Sequence, residues 1–72
     1  MNKKYEVAIY NDHVLRALQQ GDHHKDLADA WADTHYFEVS AASETDALAK
    51  MKRKYRPENG FVIKEIQETE GA

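Results

Sequence analysis

Apolar and polar residues alternate near the start of the chain. Tyr5, Val7 and Ile9 alternate with Glu6, Ala8 and Tyr10, a period of two in β-favouring residues that predicts a half-buried strand. Asn11-Asp12 follows, and either side chain can cap a helix. From Asp12 to Gln20 the period changes: Val14, Leu15 and Leu18 fall at helical spacing. Gly21 interrupts this run and fits a left-handed C-terminal cap. A second helical run is expected from Asp22 to about Asp33, with Leu27, Ala30, Trp31 and Thr34 as its apolar stripe. The two runs read as two helices or one kinked helix, and the cost of Gly in a helix interior favours a break.

Phe37, Val39 and Ala41 alternate with Tyr36, Glu38 and Ser40, which predicts the second strand. Ser43-Glu44-Thr45-Asp46 is a capping-box variant opening a helix whose face is Ala47, Leu48, Met51 and Tyr55. Pro57 must end it. The third strand, Phe61 to Ile66, has apolar residues at both parities, the pattern of a strand buried on both faces or central in its sheet.

The expected order is therefore β-α(α)-β-α-β. The fold class is α/β (α+β): a small two-layer sandwich, a three-stranded sheet with helices mainly on one face. The pattern leaves parallel and antiparallel arrangements open. Residues 1–72 read as one domain, ordered over about 4–67, with 68–72 as a frayed acidic tail. Outward positions Tyr10, Tyr36, Val62 and Ile66, with Ala8, form a patch if their strands are neighbours. Either a second copy or partner covers that patch, or the first helical segment folds over it.

Composition narrows the chemistry. With 72 residues the core is thin and sits near the stability limit. There are no cysteines, which excludes disulfides, thiolate metal sites and thiol catalysis. No stretch has the apolar length of a signal peptide or membrane span, so the expected location is cytoplasmic, with no membrane partner. A net charge of −3 argues against general affinity for nucleic acid.

Four histidines, His13, His23, His24 and His35, are many for this length. On a helix His23 and Asp26 share a face, so His23, His24 and Asp26 are the metal candidates. No His-x3-His pair reinforces them, and a polar surface explains them equally well. Asp22, Asp26, Asp29 and Asp33 are spaced four, three and four apart, an acidic stripe that reads as a solvated face or a partner contact. Lys50, Lys52, Arg53, Lys54 and Arg56, with Tyr55 among them, form a basic run. Such a run can hold a phosphate backbone, and it equally complements the helix dipole. A third reading sets this basic end against the Asp stripe of another copy. The glycines are too dispersed for a phosphate loop, and no triad or cofactor motif occurs. Neither a cofactor nor a small-molecule substrate is inferred.

From Tyr36-Phe37-Glu38-Val39-Ser40-Ala41 through Asp46-Ala47-Leu48 to Gly60-Phe61-Val62-Ile63, the second half resembles the strand–helix–strand outline of some small ribosomal proteins and small subunits of multicomponent oxygenases. That resemblance implies a subunit lending surface to a larger complex and assigns no functional residue. The leading expectation is a non-catalytic protein-binding or assembly module. It would act through the open sheet face (Tyr10, Tyr36, Val62, Ile66), the acidic residues Asp26, Asp29 and Asp33, or the basic residues Lys50, Arg53, Lys54 and Arg56. Nucleic-acid binding through residues 50–56 is the alternative, weak metal binding the third reading, and an enzymatic role would need a partner to complete the site.

Overall fold

The computed structural model describes residues 2–69. Strand β1 (Lys3–Asn11) leads into helix α1 (Asp12–Gln19); a short 3-10 turn (Asp29–Ala32) precedes β2 (His35–Ala41). Helix α2 (Glu44–Lys54), a second 3-10 turn (Pro57–Asn59) and β3 (Phe61–Glu68) complete the chain. The sheet order is β2-β1-β3, and both pairings are antiparallel. The two outer strands therefore run parallel to each other with β1 between them, and α2 makes the crossover.

The alternation in β1 decides the core. Tyr5, Val7 and Ile9 are buried, the last two completely. Ala47 of α2 packs with Tyr5 and Ala41, and Met51 packs with Val7 and Ile9. Phe37, Val39, Ile63 and Ile66 close round these residues from the flanking strands. Above them the Trp31 ring meets Phe61 at 5.2 Å, Tyr55 at 5.7 Å and Phe37 at 6.2 Å between centroids. Aromatic pairs at such spacings contribute about 0.5–1.5 kcal/mol each beyond area burial. This cluster caps the Asn11 end of the core.

Local chemistry sets the boundaries. The Asn11 side chain accepts from the Val14 N–H at 3.0 Å and donates to the Asn59 carbonyl at 3.1 Å. It is fully buried, so one side chain both caps α1 and ties it to the turn before β3. The Asp12 N–H adds a bond to the Gly60 carbonyl at 2.8 Å. At the far end of α1, Gly21 has φ +76. Its N–H bonds the Leu18 carbonyl, and the Asp22 N–H bonds that of Ala17. That pairing is a Schellman motif, with glycine at the left-handed position. Ser43 Oγ accepts from the Asp46 N–H at 3.2 Å, the cap expected, and the Asp46 carboxylate reaches back one residue further, accepting from the Ala42 N–H at 3.1 Å.

Three expectations need correction. The second helix from Asp22 to Asp33 does not form; only Asp29–Ala32 is helical, and as a 3-10 turn. Side chains there satisfy the backbone that a helix would have used. The Asp22 carboxylate accepts from the His23 N–H, and His24 Nδ1 accepts from the N–H groups of Asp26 and Leu27, both at 3.1 Å. Short polar side chains that capture nearby N–H groups compete with a helix.

The third strand is an edge strand rather than a central one. Its mixed parity comes from a bulge: Glu65 pairs with Ala8 and Ile63 with Ile9, leaving Lys64 as the extra residue. One inserted residue moves Ile66 onto the same face as Ile63 and Phe61. Ile66, expected outward, thus packs against the core. Finally, β3 runs past its expected end at Ile66 to Glu68, and the Thr69 N–H bonds the Lys4 carbonyl at 3.0 Å. Of the expected tail 68–72, residues 70–72 lie outside the described residues.

Candidate functional site

Two surfaces bring functional candidates together. The first is the sheet face turned away from α2. Register places Ala8 opposite Tyr36 and Tyr10 opposite Val62, so the expected patch assembles, without Ile66. Ala8 is almost covered by its neighbours, whereas Tyr36 is 63 % exposed, the one exposed large hydrophobic among the described residues. Toward the Asn11 end, Leu15 of α1 joins Tyr10, Val62, Ala32 and Thr34 round a shallow recess of about 470 Å3. Helix α1 therefore fringes this face at one end, and Glu6, Glu38, Ser40, Glu65 and Gln67 remain exposed beyond it.

That exposed half is acidic. Glu6 sits directly opposite Glu38, and Glu65 opposite Ala8 next along β1. Like charges directly opposite on neighbouring strands repel. The nearest compensation is Lys4, whose Nζ lies 4.0 Å from the Glu38 carboxylate, at the limit of an ion pair. The alternation that identified the inward residues also carried this acidic set, at the outward positions of β1 and β2. Sequence reasoning passed over it because glutamates on a strand read as ordinary solvated positions.

The basic run divides in two. Lys50 donates to the Ser40 carbonyl at 2.8 Å and lies 3.6 Å from Asp46, tying α2 to the end of β2. Arg56 pairs with Glu58 at 2.8 Å. The Glu58 carboxyl is held below its ordinary range, first by a hydrogen bond from its own backbone N–H and then by Arg56. Lys52 and Arg53 make no ion pair among the described residues, and Lys54 lies 5.6 Å over the Tyr55 ring. The outward basic group is thus Lys52, Arg53 and Lys54 in the last turn of α2.

The second surface lies where α1, the 22–28 loop and the Pro57–Asn59 turn meet. His13, His24, Asp26, Leu27, Glu58 and Asn59 line a recess of about 400 Å3. The His13 and His24 rings are 9° from parallel, with centroids 6.4 Å apart. His13 is held from behind: a Cβ at Gly60, which has φ +95, would fall 2.5 Å from His13 Cγ, so only glycine lets the ring sit there. His24 Nδ1 accepts two backbone N–H groups, so the neutral ring carries its proton on Nε2.

The acidic stripe does not exist as a helix face. Asp29 instead holds His23, whose Nδ1 is 3.0 Å from both carboxylate oxygens. That hydrogen bond, with the charge of Asp29, raises the His23 pKa above 6.5. Asp26 lines the recess with His24, and Asp33 is exposed at the end of the 3-10 turn. His23, His24 and Asp26 are not gathered: His23 turns to Asp29, while His24 and Asp26 face the recess. Among the described residues no group of three His, Cys, Asp or Glu side chains is placed to hold a metal ion. His35 donates from Nε2 to the Ala30 carbonyl at 2.8 Å and packs at a tilt on Trp31, 4.6 Å between centroids, a structural use.

No protein-family model, curated protein or solved structure matches this chain. The functional reading rests on these surfaces. No helix of the described residues is long and apolar enough to cross a membrane.

Proposed function

We propose that the chain is a protein-assembly module whose open sheet face receives the basic end of α2 from a second copy. The observation that carries this reading is Tyr36, 63 % exposed beside the opposed glutamates Glu6 and Glu38, which have only Lys4, 4.0 Å from Glu38, against them. An aromatic ring between carboxylates suits a Lys or Arg side chain: the stem packs on the ring and the charge meets the acids. Lys52, Arg53 and Lys54 supply such side chains. A symmetric pairing of two open faces would set Glu6, Glu38 and Glu65 against the same residues of the other copy. Repulsion opposes that, so the contact is heterologous and propagates head to tail.

Sedimentation velocity across a wide concentration range tests this, first at low and then at moderate salt. Mass should climb with concentration at low salt and fall back at moderate salt, since exposed charge pairs are screened. Glu6→Lys and Arg53→Glu should each remove association, and together partly restore it. A monomer at every concentration and salt would end the proposal, as would association untouched by either substitution.

A further inference from the structure

We infer that the recess between α1 and the 22–28 loop binds a flat aromatic amine of nucleobase size, stacked between the imidazoles of His13 and His24. The two rings are within 9° of parallel with centroids 6.4 Å apart, too far for face-to-face contact with each other. A flat ring touching both needs roughly 3.5 Å on each side, about 7 Å in all. The difference is supplied by an outward shift of the 22–28 loop that carries the His24 ring with it, since the ring's Nδ1 is tied to the Asp26 and Leu27 N–H groups. His13 cannot retreat, with the Gly60 backbone behind it. The pair is a clamp with one fixed jaw and one adjustable jaw.

The walls select the ligand. Asp26 and Glu58 border the same recess, with Asn59 beside them and Leu27 as an apolar side. Carboxylates accept hydrogen bonds and donate none when ionised, and Glu58 is held ionised by its own N–H and by Arg56. A ring that presents N–H2 groups at its rim satisfies them; a ring that presents only carbonyls there is repelled. Adenine and cytosine meet the condition; uracil has no exocyclic amine, and its one free donor, N3–H, is flanked by two carbonyls that the acids repel. The recess, at about 400 Å3, admits a nucleoside, and Asp26 disfavours an added phosphate, the Glu58 charge being offset by Arg56. The ligand class is therefore an aminopurine or aminopyrimidine base or its nucleoside. Stacking between two faces is sequence-tolerant chemistry, since every base has a π face; the exocyclic amine is what the acids add. This site is independent of the sheet face and stands whether or not the chain self-assembles.

The test is an NMR titration of the full chain with cytidine, adenosine, uridine and cytidine monophosphate, observing the histidine ring protons. Cytidine and adenosine should move the His13 and His24 rings upfield together, saturably and in the millimolar range. Uridine should leave them in place, and the monophosphate should bind at least threefold more weakly than cytidine. Asp26→Asn, an isosteric change on an exposed residue, should weaken cytidine at least fivefold with the amide spectrum otherwise unchanged. The wild-type comparison of cytidine with uridine decides the matter even if a variant folds poorly. No saturable shift with either amine, equal response to uridine, or shifts that bypass His13 and His24 would each overturn the inference.

Discussion

The two faces of the sheet are built from the same three strands and differ in almost every respect. Toward α2, residues from all three strands interlock with Ala47 and Met51, and Val7 and Ile9 lose all contact with solvent. On the other face the neighbours are Glu6 with Glu38, Ala8 with Tyr36, and Tyr10 with Val62. One face gains stability from burial; the other holds like charges side by side and leaves an aromatic ring in water. A domain this small has little stability to spare.

The largest effect that would expose this difference comes from deep on the inner face. Ile9→Ala should destabilise by about 3 kcal/mol through lost burial and a cavity, a large share of the few kcal/mol such a domain holds. Tyr36→Ala on the outer face should change stability by less than about 0.5 kcal/mol. Urea denaturation of both variants measures the contrast, and similar losses from the two would erase it. Next comes Asn11→Ala, which leaves the Val14 N–H and the Asn59 carbonyl without their partner. A loss of about 2 kcal/mol is expected, and a thermal midpoint equal to that of the native chain would contradict the role given to this side chain.

A smaller effect of opposite sign sharpens the comparison further. Glu6→Lys places a cation opposite Glu38 and should raise stability by about 0.5 kcal/mol while removing self-association. A residue that weakens the fold and promotes assembly is the signature of a contact surface. Should Glu6→Lys lower stability instead, the outer face is not in electrostatic conflict. The smallest effect touches neither face. Because hydrogen bonding to Asp29 raises the His23 pKa, the pair contributes fully below the ordinary imidazole pKa. Its contribution is lost as pH rises through the raised value. The His23 ring should titrate above 6.5 and return toward that value in Asp29→Asn, with resonances of β1 unmoved in both. Histidine ring shifts followed against pH report it.

How much of this was legible follows from where the chain obeys a single period. β1, β2 and α2 do so, and Tyr5, Val7, Ile9, Ala47 and Met51 could be assigned to the core from spacing alone. The caps at Asn11, Gly21 and Ser43 were equally readable, since each is a local hydrogen-bond device. The failures have two physical causes. In 22–33 the helical spacing of Leu27 and Trp31 was met by a chain that bends round His24, because side-chain acceptors captured the backbone donors. In β3 one extra residue, Lys64, reversed the parity, so Ile66 went inward and a bulged edge strand resembled a central one. The candidate sites were less legible than the fold. The stacking of His13 with His24, and the closeness of Glu58 to both, depend on Gly60 lying under His13, which no local pattern contains.

The position of β1 in the middle of the sheet has a consequence for how the chain reaches this structure. It is translated before both of the strands that flank it, and it carries Val7, Ile9 and Asn11, three of the fully buried residues of the sheet. Its pairing with β3 joins Asn11 to Phe61, so a loop of about fifty residues must close before the second ladder forms, at a cost that grows only slowly with loop length. Non-local pairing of this kind slows folding. Until β3 arrives, one whole edge of an apolar strand stands open to any other chain nearby. Helix α2 covers the side chains of that strand through Met51, which packs on Val7 and Ile9, so the backbone edge, and not the apolar face, is what β3 has left to close.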